Sequence, residues 1–277
     1  MKAKKLFPAI FIVLLIIAIF TGCKKDSEKT EDISDINEEA LAENIFDNID
    51  NIADEAYMSV WGFFKSGDDD GKLLDICATI SHDTISIPHL ITIDFGDTNC
   101  LCRDGKYRRG MILVSFSGHY ADSGAMKNIT SEEYFVNDNH VVFTKATTNT
   151  GRNEHGNLTW LIISDGTIIF ATDLEGDFTW HAERTREWIE GEETYFRWDD
   201  VYLITGNGNT VRPNGESVTK EIVEPIMKRL SCRWFVSGIV KITPSNRPVR
   251  VLDYGDGECN RFATVTVNGN TFIIRLP

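Results

Sequence analysis

The residues best equipped for chemistry lie between Phe178 and Ile189. In an extended chain successive side chains alternate faces. Trp180, Ala182, Arg184, Arg186 and Trp188 then share one face, and His181, Glu183, Thr185, Glu187 and Ile189 share the other. Tryptophans beside arginines can stack on sugar rings or hold anions, helped by cation–π attraction. The same pattern also serves as a ladder against charged partners on neighbouring strands. Trp180, Arg184, Arg186 and Trp188 are therefore the candidate ligand-binding set. His181 with Glu183 and Glu187 has the residue types of acid–base catalysis, but positions i and i+2 on a strand lie about 7 Å apart, beyond a direct hydrogen bond.

A second group of reactive residues is the six cysteines. Cys77 and Cys100 bracket two strand-like runs, and so do Cys232 and Cys259. Each bracket ends in a related string, Asp94-Phe95-Gly96-Asp97-Thr98-Asn99-Cys100 or Asp253-Tyr254-Gly255-Asp256-Gly257-Glu258-Cys259, and a further strand follows. A plan this specific, recurring at about 73–118 and 230–277, points to an internal duplication. It suggests the disulfides Cys77–Cys100 and Cys232–Cys259, with Cys102 left over; Cys100 and Cys102 could also compete for Cys77. Asp94, Asp97, Asp253 and Asp256 are weak calcium candidates, since hard carboxylate oxygens suit that ion. The simpler reading is that each Asp accepts backbone N–H bonds in a glycine turn.

Other chemical signatures are missing. The sequence contains no G-x-S-x-G elbow, P-loop, dinucleotide-binding glycine fingerprint or H-E-x-x-H motif. Cys100-x-Cys102 lacks zinc spacing and a second ligand pair. No catalytic residue, metal site or cofactor is assigned. The formal charge of −14 comes without a compensating basic stripe, which argues against a nucleic-acid partner.

The elements that must carry these residues are mostly strands. Leu41, Ile45, Ile49, Ile52, Ala56 and Val60 recur every three or four residues and predict one amphipathic helix near the N-terminus, within 35–66, with Asp35 and Glu38 as a capping box. The run Ser66-Gly67-Asp68-Asp69-Asp70-Gly71 ends it as a solvated turn. From Leu73 the period changes to two. Asn137-Asp138-Asn139, Asp165-Gly166, Asn207-Gly208, Asn214-Gly215, Asp256-Gly257 and Asn268-Gly269 punctuate the strands as hairpin turns. Ser217–Leu230 fits either a short helix or a strand broken at Pro225. The expected fold is mainly β: an antiparallel meander of many strands, forming a curved sheet, half-barrel or sandwich over 67–277, with the helix in front of it.

The N-terminus gives an address. Lys2, Lys4 and Lys5 precede an apolar run from Leu6 to Phe20, and Thr21-Gly22-Cys23 follows. A basic segment, an apolar segment and small residues before cysteine make a lipoprotein signal peptide, residues 1–22, with acylation (palmitate) on Cys23. Two or more acyl chains make such anchoring stable. Residues 23–34 are polar and read as a flexible acidic tether. Export places the remaining cysteines in an oxidising compartment, where disulfides persist.

The strings Ile93-Asp94-Phe95-Gly96, Cys100-x-Cys102-x-Asp104-Gly105-x-x-Arg108-x-Gly110, Arg184-Thr185-Arg186-Glu187-Trp188, Asp200-Val201-Tyr202-Leu203-Ile204-Thr205-Gly206 and Asp253-Tyr254-Gly255-Asp256-Gly257-x-Cys259 resemble those of uncharacterised Bacteroidota lipoproteins. The resemblance covers most of the chain from about Leu73 and implies an all-β lipoprotein with no known activity. The expected protein is therefore an outer-membrane lipoprotein, periplasmic or surface-exposed, with a non-enzymatic binding or structural role. Its partners are the membrane, through the lipid, and a glycan, lipid or envelope protein. Alternatives are a carrier of a lipid or other apolar ligand in a half-barrel, with the helix as its lid, and a polysaccharide-acting hydrolase.

Overall fold

The computed structural model describes residues 34–61, 74, 76–171, 176–194 and 196–276. The signal segment, Cys23, the tether and the Asp68–Asp70 run lie outside the described residues.

Helix α1 spans Ser34–Trp61. Its predicted stripe is the face it buries: Ile45, Ile49, Ile52 and Ala56 are buried, while Leu41 and Val60 are partly buried. Ala42, Phe46 and Ala53 widen that face. A helix with so broad an apolar side needs a partner, and the sheet supplies it.

Fourteen antiparallel strands among the described residues make one curved, unclosed sheet. In chain order they are β1 (Thr79–Asp83), β2 (His89–Asp94), β3 (Cys100–Leu101), β4 (Tyr107–Phe116), β5 (Met126–Val136), β6 (Asn139–Arg152) and β7 (Leu158–Ile169). Then come β8 (Phe178–Glu190), β9 (Val201–Val211), β10 (Ser217–Arg229), β11 (Ser237–Pro244), β12 (Arg250–Asp256), β13 (Phe262–Val267) and β14 (Asn270–Arg275). Each pairs with the next strand in sequence except β2, which skips β3 to pair with β4; β3 pairs only with β4. The meander follows from short connections, which favour antiparallel neighbours.

Two expected hairpin turns are corrected. Strands β7 and β9 run straight through Asp165-Gly166 and Asn207-Gly208. Neither glycine takes a positive φ. Both are there for close approach. A Cβ on Gly166 would lie 2.5 Å from the Phe46 ring of α1, and one on Gly208 would lie 2.6 Å from the His181 carbonyl oxygen. By contrast, Asn137 and Asp138 (φ 49° and 64°) and Asn268 (φ 51°) do adopt the left-handed backbone of tight turns. The ambiguous segment Ser217–Leu230 is strand β10, with register shifts on both sides of Glu224 that accommodate Pro225.

The two cysteine brackets close as Cys77–Cys100 and Cys232–Cys259, spanning 23 and 27 residues, and Cys102 is a buried free thiol. Their Asp-aromatic-Gly strings share a local structure. Asp94 Oδ1 accepts the Gly96 N–H at 2.8 Å, and Asp253 Oδ1 accepts the Gly255 N–H at 2.8 Å.

The core has three parts, one of them a cluster of Leu158, Trp160, Ile162 and Tyr202 on β7 and β9. Most of α1 packs with β2, β4, β5, β6 and the start of β8, through Ile91, Ile93, Ile112, Val114, Ile129 and Phe178. At the other end Ile36 alone reaches from α1 into a core of β10–β14 residues that includes Val218, Ile242 and Val265. Between these cores the helix meets the strands across charges.

Candidate functional site

Strand β8 places the candidate residues as period two requires. Trp180, Ala182, Arg184 and Arg186 are buried on the face that meets α1, and Trp188 is half-buried beside Tyr202, ring centroids 5.6 Å apart. The opposite face is exposed. There His181 Nδ1 lies 2.7 Å from Asp165 Oδ1, its cross-strand neighbour, so the histidine belongs to a surface ladder. Glu187 accepts from Asn153 and Asn157 and is drawn below its ordinary pKa mainly by the Asn157 bond.

A cleft opens where β8 passes beneath α1. It is lined by Lys145, Ser164, Trp180, Ala182, Arg184, Arg186, Tyr202 and Lys228 from the sheet, and by Glu43, Phe46, Asp47, Asp50 and Asp54 from the helix. Its cavity volume is about 70 Å³. The sequence makes this space with small residues. Lys145, Ser164, Ala182, Gly208 and Lys220 stand in one cross-strand row, so the middle of the row has little side-chain bulk. Phe46 drops onto Gly166 and stacks on Trp180 at 5.0 Å, which fixes one wall.

Ion pairs hold the helix over the cleft. Asp50 contacts Lys145 at 2.6 Å and Lys127 at 3.9 Å; Asp54 contacts Lys127 at 2.7 Å. Asp47 meets Lys228 at 2.8 Å, Glu43 meets Arg184 at 3.5 Å, and Glu39 meets Lys220 at 2.6 Å and Arg212 at 3.2 Å. Burial by itself would raise the Asp50 pKa. Lys145, Lys127 and Arg186 together outweigh it and hold the carboxyl at about 2. Asp50 is thus an ionised structural anion, not a proton donor.

Arg186 is held differently. Its guanidinium sits 5.1, 5.4 and 5.7 Å from the ring centroids of Tyr202, Trp160 and Tyr120, and Nη2 donates to the Tyr120 hydroxyl. Burial disfavours its charge, but Tyr120, Asp50 and Asp54 more than compensate and raise its pKa. Burial pushes the Tyr120 and Tyr202 phenols well up, so both stay protonated. Among the described residues, Arg186 Nε, Arg184 Nη1 and Trp180 Nε1 are buried N–H groups without a hydrogen-bond acceptor.

Sequence reasoning identified the β8 face but missed its counterpart. Glu39, Glu43, Asp47, Asp50 and Asp54 recur every three or four residues and form an acidic stripe next to the apolar one. Lys127, Lys145, Lys220 and Lys228 stand at inward strand positions, an unusual place for lysine. Those two patterns together were the available signal. Elsewhere, Asp94 and Asp253 serve their glycine turns. Among the described residues no group of three or more His, Cys, Asp or Glu side chains is arranged to hold a metal ion. Burial pushes the Cys102 thiol up, beside the Arg108–Asp104 pair, which keeps it a poor nucleophile. No family model, curated protein or solved structure matches the chain.

Proposed function

We propose that the chain is an outer-membrane lipoprotein, periplasmic or surface-exposed, anchored through Cys23 and serving a non-enzymatic binding role. The lipobox string Phe20-Thr21-Gly22-Cys23 supports the address. The observation that carries the role is the cleft between α1 and β8. Its helix carboxylates are tied to lysines or arginines, while buried N–H donors on the sheet side lack acceptors. Such a lining is suited to recognising a ligand, and Asp50 within it is held as an anion.

A hydrolase needs one carboxyl kept protonated and one free as a base. Asp50 at about 2 is the reverse of the first requirement. The carrier reading has one observation in its favour, a helix lying across an open curved sheet. The lining speaks against an apolar cargo, since charged side chains from both layers reach it.

The test has two arms. Radiolabelled palmitate should mark the wild-type chain and not Cys23→Ser, which should leave the membrane fraction. A Cys23→Ser protein that stays membrane-bound, beside an unlabelled wild type, breaks the address. For the role, envelope extract passed over the immobilised chain should yield a small molecule or glycan that a chain with Ala182→Trp, which fills the cleft, no longer retains.

A further inference from the structure

We propose that the cleft under α1 binds a single oxyanionic group, a carboxylate, phosphate or sulfate, between Arg184 and Arg186. The inference rests on the binding role proposed above and names the ligand chemistry of that site.

The unused bonding capacity of the cleft is mostly on the donor side, with Asp50 Oδ1 as an unpartnered hydrogen-bond acceptor among the lining atoms. Arg184 Nη1, Arg186 Nε and Trp180 Nε1 are donors without acceptors, in side chains only 8 %, 8 % and 5 % exposed, and all three residues line the cleft. Leaving a buried donor unmade costs about 1–3 kcal/mol, and more for a charged group, so the two neighbouring guanidinium donors call for an acceptor-rich occupant. Guanidinium groups match the planar or tetrahedral oxygens of oxyanions.

The acidic helix does not fill this demand. Asp50 is engaged by Lys145 and Lys127, Asp54 by Lys127, and Asp47 by Lys228. Glu43 reaches Arg184 only through Nη2, at 3.5 Å, which leaves Nη1 open. Arg186 has ring faces and one phenol for neighbours. Asp50 and Asp54 offset its charge electrostatically, but neither accepts a hydrogen bond from Nε. Cation–π contact holds the guanidinium in place and uses up none of its remaining N–H groups. Arg184 and Arg186 sit two apart on the same face of one strand, about 7 Å along the chain, a spacing that one oxyanion between two long side chains can bridge.

The experiment uses the full-length chain in detergent, titrated separately with inorganic phosphate, inorganic sulfate and glucuronate at constant ionic strength. Tryptophan fluorescence and thermal melting are read together. At least one anion should give a saturable fluorescence change and a concentration-dependent rise in melting temperature. Phosphate or sulfate alone would assign a tetrahedral group, and glucuronate alone a carboxylate. Affinity should fall at least tenfold in Arg186→Gln and in Arg184→Gln, and should be unchanged in Lys241→Gln on the outer face. Arg184→Gln serves if Arg186→Gln does not fold. Absence of saturation with all three anions overturns the proposal, as does equal affinity in wild type and Arg184→Gln. Retention of an uncharged glycan in the extract experiment, with no anion binding here, would defeat this inference and leave the binding role standing.

Discussion

At its flanks the sheet is held by disulfides and apolar side chains; in its middle the helix meets it through charges, beside an aromatic cluster of Trp160, Trp188 and Tyr202. Toward β1–β6 the helix buries Ile45, Ile49 and Ile52 against Ile93, Ile112 and Ile129, and the Cys77–Cys100 bridge closes the edge. Toward β11–β14, Leu252, Val265 and Val267 form a second apolar core, and Cys232–Cys259 ties the β10–β11 loop to the β12–β13 loop. In the middle, Asp47, Asp50 and Asp54 face Lys228, Lys145 and Lys127 across small residues and a cleft. The contrast has a physical lesson. Apolar contacts are non-directional and close any gap, whereas buried ion pairs need defined geometry and so hold two layers apart with space between them.

The largest expected effect breaks the charged middle. Asp50→Ala leaves Lys145, Lys127 and Arg186 without their shared anion and should cost about 3–5 kcal/mol in urea unfolding. A loss below 1 kcal/mol would mean the middle is held like the flanks. Next, replacing Cys232 and Cys259 together by serine should cost about 3.5 kcal/mol, the chain-entropy value for a loop of that length. Unchanged stability there would move the strength of that flank to its apolar core alone.

Gly166→Ala pushes a methyl into the Phe46 ring and should destabilise by about 1–3 kcal/mol, with part of the loss recovered in Gly166→Ala/Phe46→Leu. No recovery would show that the sheet, not the helix contact, requires the glycine. Acid should act selectively on the middle. The folded pKa of Asp50 lies below its ordinary value of 3.8, so its contribution is fully present above about pH 4 and is lost as pH falls through about 2. The wild type should lose about 2 kcal/mol more than Asp50→Asn between pH 5 and pH 2. The smallest effect is expected outside both regions: His181→Ala on the outer face should change stability by less than about 1 kcal/mol, since the His181–Asp165 pair is exposed. A larger loss would make the outer ladder a third source of strength.

The flanks were legible in the sequence. Strand alternation in Leu90–Phe95 and Ala263–Val267, and the recurring cysteine plan, rest on local patterns that survive folding unchanged. The middle was half legible. Period two in β8 correctly grouped Trp180, Arg184 and Arg186, but could not say what covered them. The glycines of Asp165-Gly166 and Asn207-Gly208 were misread because the same residue serves a tight turn and a close contact, and only the neighbour decides. Lys145 and Lys228 look like surface residues until an acidic helix lies over them.

By itself the sequence determined the mainly β character, the helix and the shared face of the β8 side chains, and it suggested the two disulfides while leaving Cys100 and Cys102 to compete for Cys77. Each follows from spacing along the chain. Only the tertiary structure decided that α1 lies over β8, that its acids consume most of the sheet's cations, and that Arg186 is left with aromatic rings as neighbours. Those outcomes depend on residues more than a hundred positions apart, such as Glu43 and Arg184, meeting in space. No local period records such a meeting, because helix and strand each satisfy their own pattern whatever partner they find.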